Sequence, residues 1–344
     1  MATQTLAFSA PSNIALIKYW GKGINQTPKN PSLSFSLKNA VTKTSLDFLK
    51  KEEGQAAFTF SFEGKSERKF HPKIESLFAS AFELYPTLAD YSFQLQSENT
   101  FPHSTGIASS ASSMAALSLC LTSLAKNLHL PLVTGEFLSS ASFLARLGSG
   151  SAARSTYGGF TIWGRTRHYP QASDEYAIDV NEMVHSSMKK LGDSILIVSS
   201  KEKTLGSSAG HRLMNDNPYA NTRFLQADVL MGELLSSMKT GDFEKWGEIV
   251  EKEALGLHAL MLLSESSPIL LKPASLELIT LIREFRKESS LPVYFTIDAG
   301  PNIHLLYPLE IKSKVQQFIT DRCLKHLENA MVIHDEIGPG PYSL

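Results

Sequence analysis

The segment Phe101-Pro-His-Ser-Thr-Gly-Ile-Ala-Ser-Ser-Ala-Ser112 crowds small residues around a glycine and then enters a run of helical character. A helix start carries free backbone N–H groups and the positive end of the helix dipole, so it draws anions. Small side chains let phosphate oxygens approach that backbone, and serine hydroxyls can donate to phosphate or help to hold Mg²⁺. Close helix packing would explain the same small residues, and no G-x-x-x-x-G-K-[ST] loop occurs. A second segment, Gly148-Ser-Gly-Ser-Ala-Ala-Arg154-Ser155, spells G-x-G-x-x-[GA]. That pattern holds dinucleotides only between a preceding strand and a following helix, and here a helix precedes and a strand follows. What is left is a flexible turn with hydroxyls at Ser149 and Ser151 and a guanidinium at Arg154. Such a fork grips carboxylates and phosphates, while a tight turn with a surface arginine is the plainer alternative.

Two further segments break the pattern around them. Lys18 interrupts an apolar strand, which is costly unless its ammonium finds a partner. Lys18-Tyr-Trp-Gly-Lys22 sets two lysines about two aromatics and a glycine, which suits a polyanion pocket as well as a lysine snorkelling at a strand end. Asp298-Ala-Gly-Pro-Asn302 follows the apolar run 293–297 directly. An aspartate fixed there by a Gly-Pro turn is placed to act as a base or ligand, or it simply forms the turn.

Several other chemistries are disfavoured. Gly206-Ser-Ser208-Ala-Gly210 matches G-x-S-x-G, and Asp298 with His304, His326 or His334 completes the chain order of a serine hydrolase. That nucleophile needs the sharp end of a strand, whereas Lys201-Glu-Lys203 and more intervene. His258 and the other histidines show no H-E-x-x-H spacing. Cys120 and Cys323 are too few for a disulfide scaffold or a four-ligand zinc site, and Cys120 reads as a small hydrophobe in an apolar helix. Lys+Arg 33 against Asp+Glu 34 leaves a net charge of −1, so no basic excess serves nucleic acid or an anionic membrane. Any anion must be held by a local cluster. No run approaches the ~18 apolar residues of a membrane helix. The start, MATQTLAFSAPSN, lacks the basic and apolar regions of a signal peptide, so a cytoplasmic protein is expected.

The elements that must position these segments follow from pattern. With 42% hydrophobic and 19% charged residues the chain can bury a sizeable core, and 344 residues suggest one large or two fused α/β lobes. Strands are expected at 14–20, 33–37, 44–49, 57–62, 157–163, 193–199, 292–297, 303–307 and 330–334. Helices are expected at 73–84, 109–127, 135–147, 218–239, 242–256, 273–289 and 310–328. The run 109–127 is apolar nearly all round and should be buried. A strand-rich first half and a helix-rich second half read as α+β, with lobes 1–190 and 191–344.

Taken together and in order, these segments resemble the diphosphomevalonate decarboxylase family of the galactokinase–homoserine kinase–mevalonate kinase–phosphomevalonate kinase (GHMP) superfamily. The marks are Asn13-Ile-Ala-Leu-Ile-Lys-Tyr-Trp-Gly-Lys22, Asn30-Pro-Ser-Leu-Ser34, Gly106-Ile-Ala-Ser-Ser-Ala111, Gly148–Ser155, Tyr157-Gly-Gly159, Asp298–Asn302 and Gly338-Pro-Gly-Pro341. The resemblance covers nearly the whole chain. It implies a ribosomal-protein-S5-like first lobe, a ferredoxin-like second lobe and an active site in the cleft between them. It implies ATP-dependent conversion of (R)-5-diphosphomevalonate to isopentenyl diphosphate, with ATP and Mg²⁺ bound, in a homodimer. Close relatives acting on the 5-monophosphate, or stopping at 3-phosphorylation, stay open. Carried over residue by residue, Asp298 would orient or deprotonate the C3 hydroxyl, Lys18 would neutralise charge beside it and Arg154 would hold the substrate carboxylate. Tyr19, Trp20, Gly21, Lys22, Lys73, Ser149, Gly150, Ser151, Ala152, Ala153 and Ser208 would contact substrate. Pro102, Ser104, Gly106, Ile107, Ala108, Ser109, Ser110 and Ser112 would wrap the ATP phosphates, with Ser109 toward Mg²⁺. His103-Ser-Thr105 and Lys73 depart from the family's usual small residues and arginine.

Overall fold

Two strands that dominate the first half are longer than their apolar runs. The computed structural model describes residues 4–102, 107–201 and 206–344, without the side chains at 207 and 208. Strand β1 spans Gln4–Ile17 and ends at the residue before Lys18. Strand β2 runs unbroken over Ser32–Lys50, where two strands are expected, because Lys38 and Asn39 stand exposed in its middle and interrupt the apolar pattern. The chain continues through β3 (Phe58–Phe62), α1 (His71–Leu84), β4 (Tyr91–Asn99), α2 (Ser109–Asn127), α3 (Phe137–Gly148), β5 (Phe160–Trp163) and β6 (Ile178–Asp179). The second half supplies β7 (Leu191–Leu196), α4 (Ser207–Arg212), α5 (Ala220–Thr240), α6 (Phe243–Leu262), α7 (Pro273–Ser289), β8 (Tyr294–Ile297), β9 (Ile303–Pro308), α8 (Lys312–Phe318), β10 (Val332–Glu336) and β11 (Tyr342–Ser343). The expected helix 310–328 is in fact α8 followed by a π turn and a 3₁₀ turn. β4 escapes the apolar pattern because one of its inward positions is a serine, Ser97, beside Phe93 and Leu95.

The architecture is α+β. One sheet has the order β11-β1-β2-β4-β3, with β5 on β2 and β6 on β5. Its pairs are antiparallel except β3 with β4. The other sheet is antiparallel, β10-β7-β9-β8. Helices α1, α2 and α3 pack on the first sheet through Leu77, Phe78, Leu117 and Leu144 against Leu46 and Phe93. α2 is buried on nearly every side, with even Ser118 and Thr122 inaccessible. Both cysteines are buried and free, and burial pushes their thiols up to about 12. A central core joins the sheets, with Ile14, Leu16 and Phe35 of the first meeting Ile195 of β7, Leu234 of α5 and Trp246 of α6. β1 and β8 therefore end close together, and the site is built at that junction.

The C-terminal segment crosses back to lock the sheets. Asp335 on β10 accepts the backbone N–H groups of Lys38, Asn39 and Ala40 at 3.1, 2.9 and 2.8 Å. Gly338 then donates to Ser36 O at 2.7 Å and accepts from Gly159 N at 2.9 Å. A Cβ on Gly158 would lie 1.9 Å from Pro339 O, so only glycine lets the two segments touch. Gly158→Ala should therefore cost about 1–3 kcal/mol, as overpacking against fixed backbone does. A urea midpoint indistinguishable from that of the parent would show that this crossing yields more easily than its geometry implies.

Candidate active site

The site is assembled where β1 leaves the first sheet. Lys18, just past the strand, extends its ammonium to Asp298 just past β8, with Nζ donating to Oδ1 at 2.7 Å. The lysine side chain is almost wholly buried and the aspartate partly open to solvent. The buried lysine of the strand end is thus paired rather than snorkelling. Arg154 lies inside the same junction. Its Nε donates to Asn13 Oδ1 at 3.2 Å, its NH1 donates to Ser32 Oγ, and its guanidinium stands over the Trp163 ring. These hydrogen-bond partners are neutral, and no carboxylate among the described residues forms an ion pair with it. Burial pulls Arg154 down to about 10, with Asp298 opposing, so it keeps its charge at neutral pH.

Asn13 orders the turn after α3. Its amide donates to Ser151 O at 3.1 Å and to Ser155 Oγ at 2.8 Å. Gly150 allows the close approach of this turn, since a Cβ there would meet Tyr19 Oη at 2.5 Å. Ser151 and Arg154 reach a cavity that also contains Lys18, Trp20, Asp298 and, from the start of α2, Ser110. Ala152 and Ala153 of the turn instead pack into hydrophobic clusters. Ser149 is tied into the end of α3 through its N–H to Ala145 O.

The aromatic pair beside Lys18 encloses a histidine. His211 of α4 lies 4.4 Å from the Tyr19 ring and 4.8 Å from that of Trp20, and Gly21 N–H donates to its Nδ1 at 3.0 Å. Burial first, then Lys22 and Arg154, push His211 down to about 3, so its ring is neutral. Burial also raises the Tyr19 phenol. Beyond His211 a polar cavity is lined by Lys22, Arg212, Ser76, Ser80 and Asn215. Burial, Lys73 and Arg212 pull Lys22 down to about 8, an energetic cost that a bound anion would relieve.

At the start of α2, Ala108 supplies no side-chain cap and holds a φ of 24°. Ile107 anchors this entry through its buried side chain and through its carbonyl, which accepts from Ser12 Oγ at 3.1 Å. Pro102 is exposed where the described stretch stops. Ser104, Gly106 and the side chain of Ser208 lie outside the described residues. A second cavity opens beside the helix start, walled by Phe60, Phe62, Phe70 and Lys73 and reaching Ser109 and Ser110. Lys73 thus lies on the aromatic side, although its charge is felt at Lys22. One expectation needs correction: Ser112 is fully buried and pairs with Thr42 Oγ1 at 2.6 Å, so its hydroxyl faces the sheet rather than either cavity. The described residues give the serine-hydrolase arrangement no support. β7 ends at Leu196, with residues 197–205 before Gly206, and His304 Nδ1 is held 2.8 Å from Asp193 inside the second sheet. No group of three or more His, Cys, Asp or Glu among the described residues could hold a metal ion. No helix among them is long and apolar enough to cross a membrane.

Sequence reasoning passed over His211, Arg212, Asn13, Ser32, Arg223 and Glu253. For Glu253 a signal existed. It occupies the buried stripe Trp246–Val250–Glu253–Leu257 of α6, where a carboxylate needs a reason. Asn13 likewise sits within a buried strand.

The chain is similar to known proteins over nearly its whole length. Residues 10–177 match the family model of the diphosphomevalonate decarboxylase-like N-terminal domain, and residues 194–341 match that of the mevalonate 5-diphosphate decarboxylase C-terminal domain. The diphosphomevalonate decarboxylase of Ganoderma lucidum is 30% identical, over 98% of this chain and 86% of its own. The crystal structure of mevalonate diphosphate decarboxylase from Staphylococcus aureus superposes with a TM-score of 0.85 at 30% identity, covering 100% of this chain and 98% of that one. The chain called MDDEF, solved in complex with MVAPP, AMPPCP and magnesium, superposes with a TM-score of 0.83 at 28% identity, covering 100% and 99%. The two sheets with their helices are the two-lobed GHMP-kinase-type fold. The chain belongs to the diphosphomevalonate decarboxylase family.

The depressed Lys22 gives a testable pH dependence. Anion binding restores its proton affinity, so binding is full below pH 8 and weakens as pH rises through the free-site value of about 8. Titrating pyrophosphate into the protein between pH 7 and 9.5 should show the wild type losing up to about tenfold in affinity per pH unit relative to Lys22→Arg. The comparison cancels the ligand's own ionisation. Parallel curves for the two proteins would remove Lys22 from the anion site.

Proposed function

We propose that this chain uses ATP to convert (R)-5-diphosphomevalonate into isopentenyl diphosphate, releasing ADP, phosphate and CO₂. One observation carries this most strongly. A single cavity holds a buried guanidinium with neutral partners, a lysine-paired aspartate and the start of a helix. A buried cation favours an anionic partner, and the substrate carboxylate is that partner for Arg154. Asp298, fixed by Lys18, orients the C3 hydroxyl and takes its proton as the oxygen attacks the γ-phosphorus. The start of α2 receives the phosphates, and the neighbouring aromatic cavity suits the base, since Ser110 borders both spaces. Bound Mg²⁺ neutralises charge on the transferring phosphates, and the Ser109 hydroxyl would share in holding it. Phosphate is then a good leaving group from tertiary C3. The C1–C2 bond breaks to release CO₂, its electron pair forms the C2–C3 alkene, and the C3–O bond breaks with its electron pair leaving on phosphate. Lys22 and Arg212 hold the diphosphate end, beyond the turn at 149–154.

The lobe division near residue 190, a homodimer and a cytoplasmic setting belong to the same proposal. The first is supported by the change from one sheet to the other between β6 and β7. The homodimer is carried by the family resemblance, and the cytoplasmic setting by the sequence expectation given above.

The experiment is purified protein with ATP, Mg²⁺ and each phosphorylated mevalonate, with ADP and CO₂ measured separately. ADP and CO₂ should appear one for one, and CO₂ should require nucleotide. ADP alone on every substrate would make this a 3-kinase. Asp298→Asn should bind substrate yet lose turnover, and a loss within tenfold, about 1.4 kcal/mol of barrier, would contradict its role. Arg154→Lys should fail to decarboxylate because an ammonium lacks the two-pronged grip.

A further inference from the structure

Resting on the decarboxylase function proposed above, we propose that the buried ion pair Arg223–Glu253 is a positioning device for Lys18, and through it for Asp298. Neither residue lines the site cavity. Arg223 on α5 and Glu253 on α6 are both inaccessible, at 3% and 2%. They meet as a fork, NH1 to Oε1 at 3.0 Å and NH2 to Oε2 at 2.7 Å. The same Oε2 accepts the backbone N–H of Lys18 at 2.9 Å. The Lys18 carbonyl accepts from Asn30 Nδ2 at 2.9 Å and from Arg223 NH2 at 3.4 Å.

Lys18 lies one residue beyond the β1–β2 register, which ends with Ile17 opposite Leu33. Its peptide groups are therefore held by these side chains instead of a strand ladder. Helix α6 grips the other half of the dyad as well, since His258 Nε2 lies 3.0 Å from the backbone oxygen of Asp298. One helix thus fixes the main chain on both sides of the Lys18–Asp298 contact. A buried ion pair seldom adds net stability over apolar packing, so stability alone does not account for charges at this place. Holding a catalytic ammonium in register does.

The test uses the full chain with ATP, Mg²⁺ and diphosphomevalonate. Arg223→Met combined with Glu253→Gln removes both charges, leaving no stranded ion to prevent folding. It should lower kcat at least tenfold while KM for both substrates stays within threefold. The control is Glu251→Gln with Arg286→Met, which removes another ion pair of α6, one whose carboxylate bonds Arg283 and Arg286 rather than Lys18. It should lower thermal stability yet leave kcat within twofold. If the first variant does not fold, Arg223→Lys takes its place with the same expectation, because it preserves charge but cannot fork. A wild type without CO₂ release would refute the proposed function itself. An active wild type with unchanged kcat in the Arg223 variants, or equal kcat losses in variant and control, would overturn the positioning role.

Discussion

Charge buried at a junction of two sheets must be answered by charge, and that requirement organises this molecule. Lys18 and Arg154 are each only 2% exposed and stand within one cavity. Folding stability of a domain is only ~5–15 kcal/mol, and an unanswered ion in the interior can consume a large part of it. Lys18 is answered by Asp298 from the second half of the chain. The Arg223–Glu253 pair answers itself and saturates the peptide groups of Lys18. Arg154 is met by an amide oxygen and a hydroxyl, which solvate it without neutralising it. The remaining deficit is a preorganised demand for an anion at one point in space.

Satisfying that demand needs parts from both sheets. Asn13 and Ser32 come from β1 and β2, Asp298 from the end of β8, and Glu253 and His258 from α6. Neither half could make the site alone, which gives the central core and the C-terminal crossing a chemical purpose. The core sets the distance between strand ends. Asp335 on β10 and Gly338 just beyond it stitch the C-terminal segment to β2, where Ser36 lies opposite Asn13 of the site, so relative drift of the sheets is resisted there. The Gly338–Pro341 segment is one of the marks of the family resemblance, yet it lines neither cavity beside Lys18 and instead crosses backbone with Gly158 and Ser36.

What was legible in the sequence divides along the same physical line. Lys18 stood out because its charge interrupts an apolar run and Asp298 because it follows one directly, and α2 was bounded correctly because it is buried nearly all round. β2 looked like two strands because two exposed residues break its pattern at a place where local polarity says nothing about ladder pairing. Ser112 was misjudged because a serine in a phosphate-like loop and a serine bonded to a sheet threonine have the same local sequence. Which way it faces depends on helix phase against β2.

His211 was illegible for a deeper reason. The adjacent Gly206–Gly210 motif points to a hydroxyl rather than to the ring, and the partners Tyr19, Trp20 and Gly21 lie nearly two hundred residues away. Its role also depends on what it lacks. Surrounded by Lys22 and Arg154 and buried, its ring stays unprotonated and can accept the Gly21 N–H. A protonated imidazole there would add a further cation to the site and lose that hydrogen bond. Burial first, and after it the cations that prepare the site for an anion, therefore fix the protonation state of the ring that shapes the turn between them. Residue type could not reveal this, because the property belongs to the assembled electrostatic field.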